Sequence, residues 1–445
     1  MKTLEHLKTL YLSYVDQSSD SRAASEKARD YYDGKQLSAE VLAEYKKRKQ
    51  PPTVKNRIKP KVDSLIGIEV QSRTDPKGFP RNPDDEDSAK AITDALRFVV
   101  DNNDFDSIKT EVSEDIFIEG TGAAIVEVKR KRDQFEIDVK RIPWDRLVTD
   151  PHAARRDGDD STFDGQAIWM DKAVAIDLFP DADESVFSTS TEQDSNDAHE
   201  DRPKDIYYDA SRDRVKLIEL YFYDKKWHHA IFTGNGFVVE PRLSIYLDED
   251  GEPMNPIELR HAFIDRENNA YGPVRNWMPI QDEINMFSSK ALHALSTRQI
   301  IMEEGAVDNV NKARAELHKT DGVLVRNKGF EFEISSNDGL SAGNFNLYSD
   351  AKGEIDSVGA NAALNGTEDR NLSGRALQAR QQGGVLELTG VIDGIRDWQK
   401  RIYRQIWYRI KQFWTEQRWI RVTDDVRNIK FIGLNREVTV RDQLE

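Results

Sequence analysis

Few residues in this sequence have the type and spacing that chemistry requires. His228 and His229 are adjacent in a stretch that alternates as a strand, so their rings point to opposite faces and cannot chelate one ion together. Asp157, Asp159 and Asp160 crowd a short segment, but the spacing lacks the twelve-residue calcium pattern. Asp145 and Asp150 remain as carboxylates that a Mg²⁺-dependent nucleic-acid-processing enzyme would need, and this is the alternative reading of the chain. No Gly-x-x-x-x-Gly-Lys-Ser/Thr run exists to cradle ATP phosphates, and no His-Glu-x-x-His to hold zinc. With no cysteine, a disulfide framework and a thiolate metal site are both impossible. The sequence therefore points to no catalytic residue, metal or cofactor.

Residues 344 to 417 offer a different kind of chemistry. A polar helix from Asn344 to Leu364 leads into a loop that ends at Arg375 and contains Asn365, Glu368, Asp369, Arg370 and Asn371. Gly366 and Gly374 flank the loop and let the backbone hinge. Ser373 suits a plain helix N-cap, and Arg370 and Arg375 suit solvated loop cations. A long amphipathic helix follows, with Val385, Leu388, Val391 or Ile392, Ile395, Trp398, Ile402, Ile406, Ile410 and Phe413 in steps of three and four. Unbroken from Ala376 to Gln417 it would span roughly 60 Å. Such a helix crosses a large domain or packs on copies of itself. The polar helix carries Asp350, Glu354 and Asp356, with small residues at Ala351, Gly353, Gly359, Ala360, Ala362 and Ala363 that permit close helix approach. A helix polar nearly all round is solvent-bridging or unstable alone.

The 445 residues are enough for two or three domains. No stretch approaches 18 consecutive apolar residues, and Met1 to His6 lacks the apolar core of a signal peptide, which fits assembly in a reducing cytoplasm. The net charge of −16 is uneven: Asp157 to Asp213 carries 17 acidic and 4 basic residues, whereas Ala376 to Arg421 carries 9 basic and 4 acidic. The first run reads as a solvated surface, with a flexible loop over Pro180 to Lys204. An acidic chain gains little phosphate affinity from bulk charge, so any hold on nucleic acid must come from a few local contacts.

The elements read as follows. Residues 1–50 are helical, with a break at Asp33-Gly34 and Ser38 capping a helix whose inner face is Val41, Leu42 and Tyr45. Asn56 to Val70 and Asp84 to Asn102 are further helices. Ala123 to Val128 with Phe135 to Ile142, and Val215 to Tyr223 with Lys226 to Phe232, are hairpins, and Ala167 to Asp171 and Ile257 to Ile264 extend the sheet. Trp144, Trp169, Tyr221, Tyr223 and Trp227 read as core or sheet-face residues. Pro273 to Glu304 is a long helix ended by Gly305. A small unit follows, helical over Asn309 to Leu317, with strands at Gly322 to Arg326 and Phe330 to Ile334.

That order resembles the portal, or head–tail connector, proteins of tailed double-stranded DNA phages, of the podovirus type. Local stretches are similar too: Arg29 to Gln36, Asn56 to Gly67, Ile142 to Pro151, Tyr271 to Asn276 running into Gln281 to Asn285, and Ser373 to Ala376. The resemblance covers nearly the whole chain. It departs in that some members carry a large C-terminal crown, whereas Glu445 follows soon after a strand-like tail.

The resemblance implies an α+β portal fold with an α/β wing, long stem helices, a small α/β clip and a long kinked wing helix, assembled as a ring of about twelve copies. Its parts fall at 1–70 (N-terminal wing helices), 71–265 (α+β wing), 266–305 (stem helix), 306–340 (clip), 341–364 (second stem helix), 365–375 (tunnel loop), 376–421 (long wing helix) and 422–445 (C-terminal strands). It implies a capsid-vertex conduit for double-stranded DNA, with Arg370, Arg375, Asn365, Glu368, Asp369, Asn371, Asp350 and Glu354 facing the channel. Sequence-independent backbone contact suits a conduit, and channel carboxylates repel DNA and ease its passage. Lys312, Arg314, Lys319, Arg326 and Lys328 of the clip are the expected docking residues for the terminase large subunit and head–tail adaptor proteins. The major capsid protein and a scaffolding protein are further implied partners. The location is the virion after assembly in host cytoplasm, with no membrane partner.

Overall fold

The structure is a computed structural model that describes residues 2–48, 50, 52–80, 86–131, 134–188, 208–209, 213–296, 298–317, 323–336, 338–357, 388–416, 418–425 and 428–434. It is an α+β protein whose chain divides into two compact units. The first holds residues 1–29, 65–275 and 388–445, and the second 30–64 and 276–387. The N-terminal 70 residues, read as one helical part of the wing, are thus shared between the units.

The helices are α1 (Leu4–Gln17), α2 (Ser19–Asp33), α3 (Ala39–Lys47), α4 (Ile58–Gln71), α5 (Glu86–Asn102), α6 (Phe105–Ile118), α7 (Lys172–Leu178), α8 (Val274–Ser296), α9 (Val310–Leu317), α10 (Asp338–Ser357) and α11 (Thr389–Phe413). In the first unit, β1 (Thr121–Lys131) and β2 (Gln134–Ile142) form the expected hairpin, and β9 (Ile257–His261) pairs antiparallel with the other edge of β1. A separate sheet runs β3 (Leu147–Thr149), β4 (Phe163–Asp171), β6 (Arg214–Asp224), β7 (Lys226–Phe232), β8 (Phe237–Leu243), with β5 (Tyr208–Asp209) beside β6. The strands read as one sheet are therefore two. Tyr221 and Leu147 of the second sheet pack with Ala123, Ile125, Ile142 and Ile257 of the first. Short strands β10 (Phe263–Ile264) and β11 (Ala270–Tyr271) pair with each other.

Alternation explains the layers. Leu7, Tyr11 and Tyr14 of α1 pack on Phe163, Ile218, Leu220, Phe222 and Phe232. Of the five aromatics read as core or sheet-face, Tyr221 is buried, but Tyr223 is 51% exposed at the hairpin end before Asp224. Phe187, inside the stretch read as a flexible loop, is fully buried with Ala175, Val215 and Leu217 on a short 3₁₀ turn, Glu184–Phe187. Residues 189–204 of that stretch lie outside those described.

The amphipathic helix ends before the expected boundary, and residues 376–387 lie outside those described. α11 ends at Phe413, because Trp414 leaves helical dihedrals and its indole N–H donates to Phe135 O at 3.1 Å. The next residues form strand β14 (Arg418–Asp425), paired with β15 (Asn428–Leu434), where a helix to 421 had been expected. Val391, Ile392, Ile395, Trp398, Ile402, Ile406 and Ile410 are all buried, as the stripe requires. α11 packs on α5, β1 and β9 of its own unit, so this stripe needs no second copy to cover it. Each such side chain contributes about 1.5–3 kcal/mol by leaving water.

In the second unit, α8 stops at Ser296, not Glu304. The β-branched pair in Arg298-Gln-Ile-Ile-Met302 makes a strand instead, β12 (Arg298–Met302), antiparallel to β13 (Phe332–Ser336). Of the strand expected over Gly322 to Arg326, Val323 to Arg326 is described and has no ladder partner among the described residues; Asn327 ties it to the turn at Gly305–Ala306. α3 is capped by Ser38 as read, but it buries none of its residues, so Val41 and Leu42 face outward.

Candidate functional site

The small unit between α8 and α10 is built on the β12–β13 pair. Gly305 turns the chain at φ +93°, a conformation side chains disfavour, and the Phe330 ring lies 3.4 Å from where a Cβ would stand. The Asn327 amide donates to Gly305 O and to Asp308 Oδ1, both at 2.9 Å, and Asn309 caps α9 by accepting from Lys312 N at 3.0 Å. Ala306 and Ala313 are the buried contacts. Lys312, Arg326 and Lys328 are exposed on this unit, Arg314 lies in α9, and Lys319 is outside the described residues. Ile301, Val323 and Val325 are 61%, 75% and 80% exposed, so the unit presents apolar surface as well as cations.

α10 begins at Asp338 and is described to Ser357. It is not polar all round: Ala351 and Ile355 are buried against Ile284 of α8, with Tyr348 and Ile280 beside them. Asp350 and Glu354, one turn apart, are exposed. Asn365, Glu368, Asp369, Arg370, Asn371 and Arg375 all lie outside the described residues.

A feature absent from the sequence reading holds this unit together. An extended segment lies along α8, fastened by side chains at successive four-residue steps. Gln281 Oε1 accepts from Arg57 N at 2.9 Å, Asn285 Oδ1 from Lys55 N at 3.0 Å, and Ser289 Oγ from Thr53 N at 3.1 Å. Gln281 also donates to Lys55 O, and Asn285 to Gln36 Oε1 at 2.7 Å. Alternate residues of the segment meet one face of the helix because two extended residues advance ~6.6 Å and four helical residues ~6 Å. Asn and Gln at a four-residue spacing on an otherwise apolar helix face were the available signal.

Of the carboxylates considered for catalysis, Asp150, Asp157 and Asp160 hold hydrogen-bond donors from their own segment. Asp150 accepts from His152 N and from Thr162 N and Oγ1. Asp145 is exposed. Asp157 pairs with Arg155 and accepts from Asp159 N, while Asp160 accepts from Ala154 N and Arg155 N. His229 meets Glu219 at 2.9 Å and His228 meets Lys226 O, on opposite faces of β7. Among the described residues no group of three or more His, Asp or Glu could hold a metal ion, and no helix is long and apolar enough to cross a membrane.

Buried charge in the first unit is structural. Arg29 meets Glu114, Asp115 and Glu119, and Arg141 grips Asp115 through both ends of its guanidinium at 2.7 and 2.6 Å. Burial pushes the Glu119 carboxyl up to about 8, opposed by Arg29, and the Asp115 carboxyl to about 6, opposed mainly by Arg141. Arg409 is fully buried: it donates to Leu247 O and Gln405 Oε1 and lies over the Tyr246 ring at 4.3 Å. These groups fasten elements to one another.

Comparison with known proteins gives this arrangement a relative. A sequence model described as phage P22-like portal protein matches residues 8–226 and 223–444. The portal protein of Helicobacter pylori bacteriophage KHP30 is 22% identical over 423 residues, which is 92% of this chain. The chain spans 66% of that relative's length.

Proposed function

The chain belongs to the phage P22-like portal protein family, and on that premise we propose that it forms a closed ring of about twelve copies at one vertex of a phage capsid. In this reading the ring, assembled in host cytoplasm and retained in the virion, is the conduit for double-stranded DNA during packaging and ejection. It also docks the terminase large subunit, then head–tail adaptors, within a shell of major capsid and scaffolding proteins. The observation that carries the reading is the family match, which extends from residue 8 to residue 444. Exposed apolar surface supports self-association: 12 of the 21 large apolar residues exposed among those described fall in the second unit, which is about a third of the chain.

Within this reading α8 and α10 are the stem helices, the unit from Arg298 to Ser336 is the clip, residues 365–375 are the tunnel loop, and α11 is the wing helix. Asp350 and Glu354 line the channel, and Arg370 and Arg375 touch DNA phosphates. The clip takes its docking role from the β12–β13 pair, its exposed valines and Lys312, Arg326 and Lys328. Replacing the clip leaves the first unit folded and abolishes DNA packaging; normal packaging by such a variant refutes the assignment. Arg370→Ala with Arg375→Ala alters DNA retention in a salt-dependent way without dissolving the ring. Unchanged retention at low and high salt returns those residues to plain solvated loop.

A further inference from the structure

From Lys46 to Lys61 the sequence holds eight Lys and Arg residues and no Asp or Glu, in a chain of net charge −16. The stretch covers the end of α3, the segment fastened along α8, and the start of α4, all within the second unit. A run of cations is most often a solvated face. Three observations separate this one from that.

First, its middle is fixed: Lys55 N and Arg57 N donate to Asn285 and Gln281 of α8, so these two cations stand on a rigid support. Second, three of the side chains lie against aromatic rings, which orient a cation without neutralising it. Lys55 Nζ lies 4.4 Å from the Tyr348 ring centroid, Lys59 Nζ 4.0 Å from that of Tyr32, and Lys61 Nζ 5.5 Å from that of Trp277. Third, among the described residues Lys46, Lys47, Lys55 and Arg57 have no carboxylate within ion-pair distance, although Arg48 pairs with Glu44 and Lys59 with Asp63. Four uncompensated cations, of which Lys55 and Arg57 stand on backbone fastened to α8 and Lys55 lies against the Tyr348 ring, are an electrostatic footprint for a polyanion. Lys55 and Arg57, two residues apart on extended backbone, are roughly 6.5 Å apart, close to twice the ~3.4 Å rise per nucleotide of a DNA strand.

We propose that the strip formed by Lys46, Lys47, Lys55 and Arg57 binds the phosphate backbone of double-stranded DNA, as a site separate from the loop at 365–375. The polyanion is taken as DNA on the strength of the conduit reading. The strip offers charge and no base-reading geometry, so it holds any sequence equally.

The test compares the full-length protein with a variant carrying Lys46→Gln, Lys47→Gln, Lys55→Gln and Arg57→Gln, which leaves the backbone donors to α8 in place. Fluorescence anisotropy with a short duplex of arbitrary sequence gives affinity against salt. The wild type binds with a steep negative slope of log affinity on log salt, and the variant's slope is shallower by about 2–4, since each phosphate contact contributes ~0.9. A second variant, Lys55→Arg with Arg57→Lys, keeps the wild-type slope. Mass photometry on the same samples reports ring formation separately, and far-UV circular dichroism reports folding. Rings that form while the neutral variant keeps the wild-type affinity and slope overturn the proposal and leave the conduit reading standing. Loss of rings with an unchanged slope overturns it too, and assigns the strip to contact between copies.

Discussion

Replacing Lys109 with methionine probes the junction that locks α11 to the rest of its unit. Lys109 is 2% exposed, with Nζ 2.6 Å from Glu69 Oε1 and 2.7 Å from Gln399 Oε1 on α11. Glu69 is itself 1% exposed and also takes Arg73 Nη2 at 2.8 Å. Methionine keeps the apolar stem and removes the charge. Deleting one partner of a buried pair costs about 3–5 kcal/mol when the other charge is left alone. Here Arg73 stays on Glu69, which reduces that figure, while Gln399 loses its donor at a cost of about 1–3 kcal/mol. The net loss is about 2–4 kcal/mol, a large share of a domain's ~5–15 kcal/mol. A chain of two units does not unfold in one step, so the readout is hydrogen exchange of α6 and α11. Amides that exchange through opening of this unit should speed up about 30- to 800-fold. Because Lys109 and Glu69 act on each other, adding Glu69→Gln costs less than the sum of the two single changes. Exchange within about fivefold of wild type in Lys109→Met, or strictly additive single and double variants, would refute the reasoning.

Three further outcomes follow from the same geometry. Asn285→Leu orphans Lys55 N and Gln36, at a cost of about 1–3 kcal/mol, and should expose residues 50–57 to proteolysis; an unchanged cleavage rate argues against the fastening. Gly120→Ala places a Cβ 2.1 Å from Tyr271 C at φ +93°, where only backbone stands in the way, so soluble folded protein should be lost, and wild-type yield and melting would contradict this. Burial raises the Asp164 carboxyl to about 7 against hydrogen bonds from Thr149, Ser161 and Asn255, so between its unfolded value of 3.8 and about 7 the folded state binds more protons. Stability from this group therefore falls as pH rises across that window and levels off above it, and Asp164→Asn removes the slope. A melting-temperature difference between the two proteins that is flat from pH 4 to 8 refutes it.

What the sequence made legible was what period and alternation can carry. The β1–β2 and β6–β7 hairpins, the Ser38 cap and the buried stripe from Val391 to Ile410 followed from spacing alone. Boundaries failed where neighbouring signals competed. Trp414 and the β-branched residues after it stopped α11 early, and Ile300-Ile301 turned the expected end of a helix into β12. The sheets appeared as one because alternation within a strand does not name its partner. The Gln281–Asn285–Ser289 ladder was hidden because amides on a helix face carry no local signature of the strand they will hold. The basic run from Lys46 to Lys61 vanished into the chain's net charge, since an average over 445 residues cannot report a strip of sixteen. Of the candidate site residues, Asp350 and Glu354 lie exposed on α10, whereas the loop arginines lie outside the described residues.

The central claim is the closed ring, and negative-stain imaging of the purified chain with mass photometry tests it most directly. The account predicts annular particles with a central hole and a mass near 610 kDa, about twelve chains of 51.0 kDa each. Monomers of 51.0 kDa alone at micromolar concentration, with no annular particle in any field, would contradict it.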